Sequence, residues 1–127
     1  LEEYPAAITY FRRALRVTSD VQQRAFMLRQ IGTCYGKLNR NTDAKRYYEQ
    51  SLALSRRPYD RAMCLNFLGE LARITGDTTE AIGLFYQALK TDNHVMVQSA
   101  ALNYLAGTYW QMHRPAEARR FAAQALE

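Results

Sequence analysis

The sequence predicts an all-α superhelix of about seven antiparallel helices stacked side by side. Three observations predict this fold class. Apolar and small residues recur every 37 residues along the 127-residue chain without a slip in register. Within each period these residues are spaced three and four apart, which is helical periodicity. Short breaks that contain Gly, Pro, Asn or Asp divide each period into two helices, which we name A and B.

One recurring block marks helix B and is present four times. It begins with an alanine, continues with large residues and a small residue at helical spacing, and closes with a leucine. Four copies at constant spacing indicate a repeated structural unit. The alanine position holds Ala7, Ala44, Ala81 and Ala118, and the leucine position holds Leu15, Leu52, Leu89 and Leu126.

A second block marks helix A and is present three times at the same period. Its small position lacks bulk where helix A is expected to cross helix B, and the alanines of helix B lack bulk from the other side. Close approach of two helices needs such small residues, while large neighbours fill the space to the next repeat. The small position of helix A holds Gly32, Gly69 and Ala106.

The breaks between the helices contain residues that favour helix ends and helix starts. Gly76 is suited to the left-handed position that ends a helix, and Pro115 to the first turn of the next helix. Asp77 or Thr78, and Thr42 in the preceding repeat, are candidate caps for helices B. The predicted starts of helices A are Ser19-Asp20, Arg57-Pro58 and Asp92-Asn93.

These signals predict one domain over residues 1–127, which opens on half a repeat. No polar capping helix is recognised at its end, so we expect Ile8, Phe11 and Leu126 to expose apolar surface. Further repeats, or self-association through these ends, would cover that surface. The predicted parts are a single helix B in 1–19 and repeats in 20–56, 57–93 and 94–127.

Composition sets the broad class. The net charge of +5 and the isoelectric point of about 9.4 are moderately basic, and no run of about five or six like charges is present. Cys34 and Cys64 have no metal-type spacing and are expected to be free thiols, as in a reducing compartment. With no apolar run of about 20 residues and no signal peptide, we expect a cytoplasmic, intracellular protein.

These motifs resemble the tetratricopeptide repeat family over essentially the whole chain. The string Ile31-Gly32-x-x-Tyr35 resembles the first half of the family signature, and Ala81, Phe85 and Ala88 resemble the second half. The chain departs from the family in its period, which is 37 residues rather than about 34. It also has leucine where the family has tryptophan, and Ala122 where an aromatic is usual.

The longer period is similar to that of two groups of relatives, the kinesin light chain and the bacterial peptide-sensing regulators. Helices A in those proteins often read Leu-Asn-x-Leu followed by a small residue. Two repeats of this chain fit that string, at 65–69 and 102–106, and the first repeat has Arg29 in place of the asparagine.

The resemblance implies that helices A line a concave groove that binds an extended peptide or a partner helix. Positions three or four apart share one face of each helix A. Asparagine pairs with a peptide main chain as donor and acceptor, arginine takes a carboxylate, and large apolar side chains form pockets. The predicted binding residues are Phe26, Arg29, Thr33, Met63, Asn66, Phe67, Glu70, Arg73, Asn103, Tyr104 and Trp110.

Several of these residues have a structural alternative. Asn66 and Asn103 either contact a ligand or bond neighbouring helices. Trp110 either lines the groove or covers the last repeat, and Phe26 and Met63 either line it or belong to the core between repeats. The family's carboxylate clamp for chaperone tails, built from Lys, Asn, Asn, Lys and Arg, is not matched. Its positions hold Arg29, Thr33, Phe67, Ala100 and Tyr104.

No motif for catalysis, a metal or a cofactor is recognised in the sequence. The nucleophile-elbow, zinc-protease, phosphate-loop and dinucleotide patterns are missing. His94 and His113 are dispersed among different repeats from the two cysteines, which disfavours a zinc site. We therefore expect a protein that is not an enzyme and has no cofactor or metal.

Arginine pairs lie mostly on helices B, which the resemblance places on the outer face. Nucleic-acid binding is disfavoured because the aromatic residues that would stack on bases occupy core positions. A solvated face is the preferred interpretation. The basic groups are Arg12-Arg13-Arg16, Lys45-Arg46, Arg56-Arg57-Arg61 and Arg119-Arg120.

The leading functional hypothesis is a scaffold for protein–protein interaction. One alternative is a peptide-sensing module of a larger regulator, in which a bound peptide changes the pitch of the superhelix. Another is a repeat domain attached to an enzyme whose catalytic residues lie elsewhere. A fused DNA-binding or ATPase domain would favour the sensor, and turnover by this chain alone would contradict the non-enzyme prediction.

Overall fold

A computed structural model describes residues 3–127, and every regular element in that range is an α-helix. Neighbouring helices pack in pairs, as in a tetratricopeptide repeat. The predicted all-α fold with about seven helices is therefore confirmed. The helices are α1 (Glu3–Val17), α2 (Val21–Lys37), α3 (Asn41–Leu54), α4 (Pro58–Ile74), α5 (Thr78–Thr91), α6 (Val95–Gln111) and α7 (Pro115–Ala125).

The chain forms two compact units, which are described separately. Unit 1 is Leu1–Arg57, where α2 pairs with α3 and α1 packs on α2. Unit 2 is Pro58–Glu127, where α4 pairs with α5 and α6 pairs with α7. Within unit 2, α6 also packs on both α5 and α4. The single domain with its predicted repeat boundaries stays a prediction.

Each A-to-B turn contains one residue with left-handed backbone, and these residues are spaced by the repeat period. They are Asn39 (φ 60°), Gly76 (φ 93°) and His113 (φ 62°). The residue that follows each of them donates its N–H to a carbonyl five residues back, at 2.8–2.9 Å. This bond is the mark of a Schellman motif, which satisfies the carbonyls left at a helix end. The left-handed position predicted for Gly76 is confirmed.

The caps agree with the sequence in part. Asp20 caps α2 and Asp77 caps α5, each by accepting a backbone N–H three residues on, at 2.9 and 3.1 Å. At α6, His94 takes this role, because its Nδ1 accepts the N–H of Met96 at 3.1 Å. The prediction that Thr42 caps α3 is wrong, because the helix begins one residue earlier at Asn41.

Three of the four alanine positions of helices B are buried as predicted, and Ala7 is half-buried. Ala44 and Ala81 are fully buried and Ala118 is 6% exposed. A Cβ atom added to Gly32 would lie 2.8 Å from the ring of Tyr48, and one added to Gly69 would lie 2.5 Å from the ring of Phe85. Glycine at these two places therefore allows helices A and B to approach until a ring fills the gap.

The expectation of exposed apolar surface at both ends is only partly correct. Ile8 is buried, contrary to the prediction, because α1 packs on α2 and covers this side chain. Phe11 is half-buried, and Leu126 is 90% exposed.

Candidate functional site

In unit 1, the predicted binding residues lie along α2. Phe26 is half-exposed, and the Arg29 guanidinium carbon lies 5.7 Å from the centre of its ring, within the range of a cation–π contact. The Thr33 hydroxyl donates to the Arg29 carbonyl at 3.1 Å and accepts a hydrogen bond from the Tyr48 hydroxyl at 3.1 Å. Thr33 is thus tied to α3, while Phe26 remains at the surface.

In unit 2, Glu70 and Arg73 of α4 form a bidentate ion pair. Two guanidinium nitrogens of Arg73 donate to the two carboxylate oxygens of Glu70, at 2.5 and 3.1 Å. This hydrogen bonding is the main reason that the pKa of Arg73 is raised above its ordinary value, and burial opposes it. The guanidinium therefore stays charged and is held in one orientation.

Gln111 of α6 completes a bridge between α4 and α6. Its Oε1 accepts a hydrogen bond from Arg73 Nη1 at 3.1 Å, and its Nε2 donates to the Arg73 carbonyl at 3.3 Å. Sequence reasoning missed Gln111. The sequence does carry a signal for it, because Gln111 lies seven residues after Tyr104 and so shares the same face of α6 two turns later. We call Glu70, Arg73 and Gln111 the α4–α6 bridge.

Tyr104 lies half-buried beside this bridge. Its ring stacks on Phe85 of α5, with ring centres 5.1 Å apart and planes 19° from parallel. Burial, and then the negative charge of Glu70, raise the pKa of the Tyr104 phenol, while the charge of Arg73 opposes them. The shift extends to more alkaline pH the range in which the hydroxyl stays protonated and able to donate a hydrogen bond.

The two predicted asparagines lie in different environments. Asn66 is 2% exposed, and its Nδ2 donates to the Val97 carbonyl of α6 at 3.4 Å. Its Oδ1 is buried and has no hydrogen-bond partner in the described part of the chain. Asn103 is exposed. For Asn66 the structure thus places a bond to a neighbouring helix, while Asn103 is open to solvent.

The remaining predicted residues of unit 2 range from half-buried to exposed. Met63 and Phe67 are half-buried on α4. Trp110 is 66% exposed near the end of α6 and lines an open cavity of about 500 Å³. The other lining residues are Gln111, which belongs to the bridge, His113 from the following turn, and Pro115 at the start of α7. The exposed tryptophan therefore shares this cavity with Gln111 of the α4–α6 bridge.

The nucleophilic and metal-ligating side chains form no comparable site. Cys34 and Cys64 are buried free thiols, and burial raises the pKa of Cys34, which keeps it protonated. Among residues 3–127, no group of three His, Cys, Asp or Glu side chains is arranged to hold a metal ion. None of the helices described combines the length and apolar character that crossing a bilayer requires.

Comparison with known proteins agrees with the fold. Tetratricopeptide repeat profiles match residues 1–57, 23–94 and 72–127. The chain is 28% identical over 112 residues to the photosystem I assembly protein Ycf3 of Rippkaea orientalis (strain PCC 8801 / RF-1). That match covers 85% of this chain, which spans only 64% of the relative's length. Since the family profiles span its whole length, the chain belongs to the tetratricopeptide repeat family.

Proposed function

We propose that this chain is a non-catalytic scaffold that binds a peptide or a partner helix along the groove face of its helices A. Tetratricopeptide repeat proteins typically mediate protein–protein interaction and are usually non-catalytic. The observation that carries the proposal is the combination of an exposed Trp110, an exposed Asn103 and the α4–α6 bridge within unit 2.

Each part of that combination supplies a different kind of contact. Trp110 offers a large ring of the type that anchors protein interfaces. Asn103 carries both a donor and an acceptor for a peptide main chain. Arg73 is already oriented by Glu70 and Gln111, so little side-chain entropy is lost when it meets a carboxylate. Asn66 has a structural bond, so we assign it to packing rather than to the ligand.

The similarity to an assembly protein supports the same general role. The relative in Rippkaea orientalis is named as a photosystem I assembly protein. We infer that this chain likewise holds a protein partner. We also propose that its 37-residue repeats belong to the longer-period group that includes the kinesin light chain and the bacterial peptide-sensing regulators. No observation in the described residues separately favours the peptide-sensing alternative.

The single tryptophan of the chain provides a direct test. Peptides selected from a phage-displayed random library against the intact chain are titrated while Trp110 emission is recorded. A groove ligand is expected to shift the emission to shorter wavelength, because it removes water from the ring. Calorimetry is then expected to show binding weakened by about tenfold or more in Asn103→Ala/Trp110→Ala, since interface tryptophans are frequent hot spots.

Matched controls use exposed positions on helices B. Gln87→Ala/Arg119→Ala replaces two exposed side chains of α5 and α7 and is expected to bind like the wild type. Both double variants should keep the wild-type thermal midpoint, because all four side chains are exposed. Selected peptides that bind all three proteins equally, with unchanged Trp110 emission, would contradict the groove assignment.

A further inference from the structure

A cluster of arginines in unit 1 surrounds a pair of stacked tyrosines. Tyr35 of α2 and Tyr47 of α3 stack with ring centres 5.5 Å apart. The guanidinium carbons of Arg12 and Arg40 lie 5.8 and 5.2 Å from the centre of the Tyr35 ring, and that of Arg46 lies 5.6 Å from Tyr47. All three contacts are within cation–π range.

Arg12 is held more firmly than the other two arginines. It donates to both tyrosine hydroxyls, at 2.5 Å to Tyr35 and 3.2 Å to Tyr47. The bond to Tyr47 is the main reason that the pKa of Arg12 is raised. Because Arg12 belongs to α1, this contact also ties α1 to the α2–α3 pair.

One carboxylate lies among these three cations. Asp43 forms an ion pair with Arg40 at 2.7 Å and a longer one with Arg46 at 3.4 Å. Its negative charge also helps to raise the pKa of Arg12. The side chains of Arg40 and Arg46 are 61% and 62% exposed. The cluster therefore keeps a surplus of two positive charges at the surface. We call Arg12, Arg40, Asp43 and Arg46 the basic patch.

The same arrangement recurs two periods later in unit 2, with a smaller surplus of charge. Tyr109 stacks on Phe121, Arg114 and Arg120 lie over their rings, and Glu117 pairs with Arg114. The position of Arg12 is taken by Tyr86, which packs edge-on against Phe121. Two arginines and one carboxylate leave a surplus of one charge, so the fold tolerates the stack without the third cation.

The net charge of the whole chain is also concentrated in unit 1. Residues 1–57 contain eleven Lys and Arg against five Asp and Glu, a net charge of +6. Residues 58–127 contain six against seven, a net charge of −1. The electrostatic attraction for an acidic partner therefore comes from unit 1.

We propose that the basic patch of unit 1 is a second interaction surface, separate from the groove, which binds an acidic, Asp/Glu-rich segment of a protein partner. Exposed guanidinium groups suit carboxylates because they donate several hydrogen bonds in a planar fork. Single-stranded nucleic acid fits less well, because the tyrosine faces are covered by each other and by arginines. They offer no free ring on which a base can stack.

The test uses a fluorescein-labelled decaglutamate peptide and the intact chain, with binding followed by fluorescence anisotropy at low salt. Arg40→Gln/Arg46→Gln is expected to weaken binding by about tenfold, because it removes two exposed guanidinium groups that pair with the carboxylates of the peptide. The matched control, Arg114→Gln/Arg120→Gln, removes the same charge from the same type of stack in unit 2. It is expected to change the affinity by less than about twofold if the patch is specific.

A gain of binding provides a second, independent readout. Asp43→Asn raises the surplus of the patch from two to three charges and is expected to tighten binding by about threefold. Glu117→Gln is its control in unit 2 and is expected to have no effect. Trp110→Ala is also expected to bind decaglutamate like the wild type, which separates this surface from the groove. Circular dichroism melts confirm that each variant is folded.

Equal weakening by the two arginine double variants would overturn the proposal, since it would show that only net charge matters. An oligothymidylate of equal charge that competes better than decaglutamate would also overturn it, in favour of a nucleic-acid surface. Should Arg40→Gln/Arg46→Gln fail to fold, Asp43→Asn decides the matter, and the absence of tightening counts against the patch.

Discussion

Gly32 in unit 1 and Gly69 in unit 2 each lie against an aromatic ring of the paired helix, and the two rings make different second contacts. In unit 1 the Tyr48 ring faces Gly32, and its hydroxyl donates to Thr33 on the same helix A at 3.1 Å. In unit 2 the Phe85 ring faces Gly69 and stacks on Tyr104 of the next helix A. A hydroxyl thus ties the ring to its own pair, while a bare ring joins two successive pairs.

The α6–α7 pair shows a third arrangement. The small position of α6 is Ala106, and the facing position of α7 is the exposed Ala122. The ring that remains is Phe121, one residue earlier, which stacks on Tyr109 as Tyr47 stacks on Tyr35 in unit 1. The helix pair therefore requires one buried ring, whereas the glycine is required only where that ring lies directly over helix A.

The largest effect is expected for Phe85→Ala in unit 2. Phe85 is fully buried against Gly69 and Tyr104, so its removal leaves a cavity in addition to the lost transfer energy. We expect a loss of about 3–5 kcal/mol in the free energy of unfolding, measured by urea denaturation. The control is Phe26→Ala, which truncates a half-exposed ring and should cost less than about 1 kcal/mol. Equal costs for the two variants would show that Phe85 does not join the pairs.

Alanine scanning of the glycines separates close approach from helix propensity. Gly69→Ala places a methyl group 2.5 Å from the Phe85 ring and is expected to cost about 1–3 kcal/mol. Gly32→Ala, with 2.8 Å to Tyr48, should cost less. Gly107 has nothing within 4 Å of an added Cβ, so Gly107→Ala should gain up to about 1 kcal/mol. Thermal melts that rise for all three variants would contradict the packing argument.

The contrast among these glycines also marks what the sequence predicted well. The repeat period identified Gly32, Gly69 and the buried alanines, because each depends on a contact between helices that follow one another in the chain. The left-handed turn at Gly76 was equally accessible, since it is a local backbone requirement. These features recur with the period, so each copy supports the others.

Features that depend on a particular neighbour were harder to predict. The sequence leaves open whether Asn66 contacts a ligand or a neighbouring helix, because its burial depends on how closely α6 packs on α4. Gln111 was missed because its partner Arg73 lies one repeat earlier, on a different helix. Ile8 was expected to be exposed, and α1 packing on α2 buries it. The spacing of residues in the sequence predicts which face of its helix a side chain lies on. Which residue it contacts depends on how closely the neighbouring helix packs.

A smaller effect is expected from the hydroxyl that distinguishes Tyr48 from Phe85. In a double-mutant cycle of Tyr48→Phe and Thr33→Val, we expect a coupling of about 0.5–1.5 kcal/mol in the free energy of unfolding, the usual value for one hydrogen bond. The cycle isolates this pair from the other contacts of both residues. Tyr10→Phe combined with Thr33→Val is the control, because Tyr10 is exposed on α1, and its coupling should be close to zero.

The smallest effect concerns the phenol of Tyr104, the ring on which Phe85 stacks. Burial first, and then the charge of Glu70, raise its pKa in the folded state above the ordinary value of 10.0. Folding therefore favours the protonated phenol, and this contribution to stability is complete below pH 10 and is lost as the pH rises through the raised pKa. Urea denaturation at a series of alkaline pH values should show a steeper fall in the free energy of unfolding for the wild type than for Tyr104→Phe.

The control is Tyr10→Phe, which removes an exposed phenol and should follow the wild type. If Tyr104→Phe followed it as well, the stack on Phe85 would not keep Tyr104 away from water, and the bare ring of unit 2 would join the two pairs less tightly than its geometry indicates.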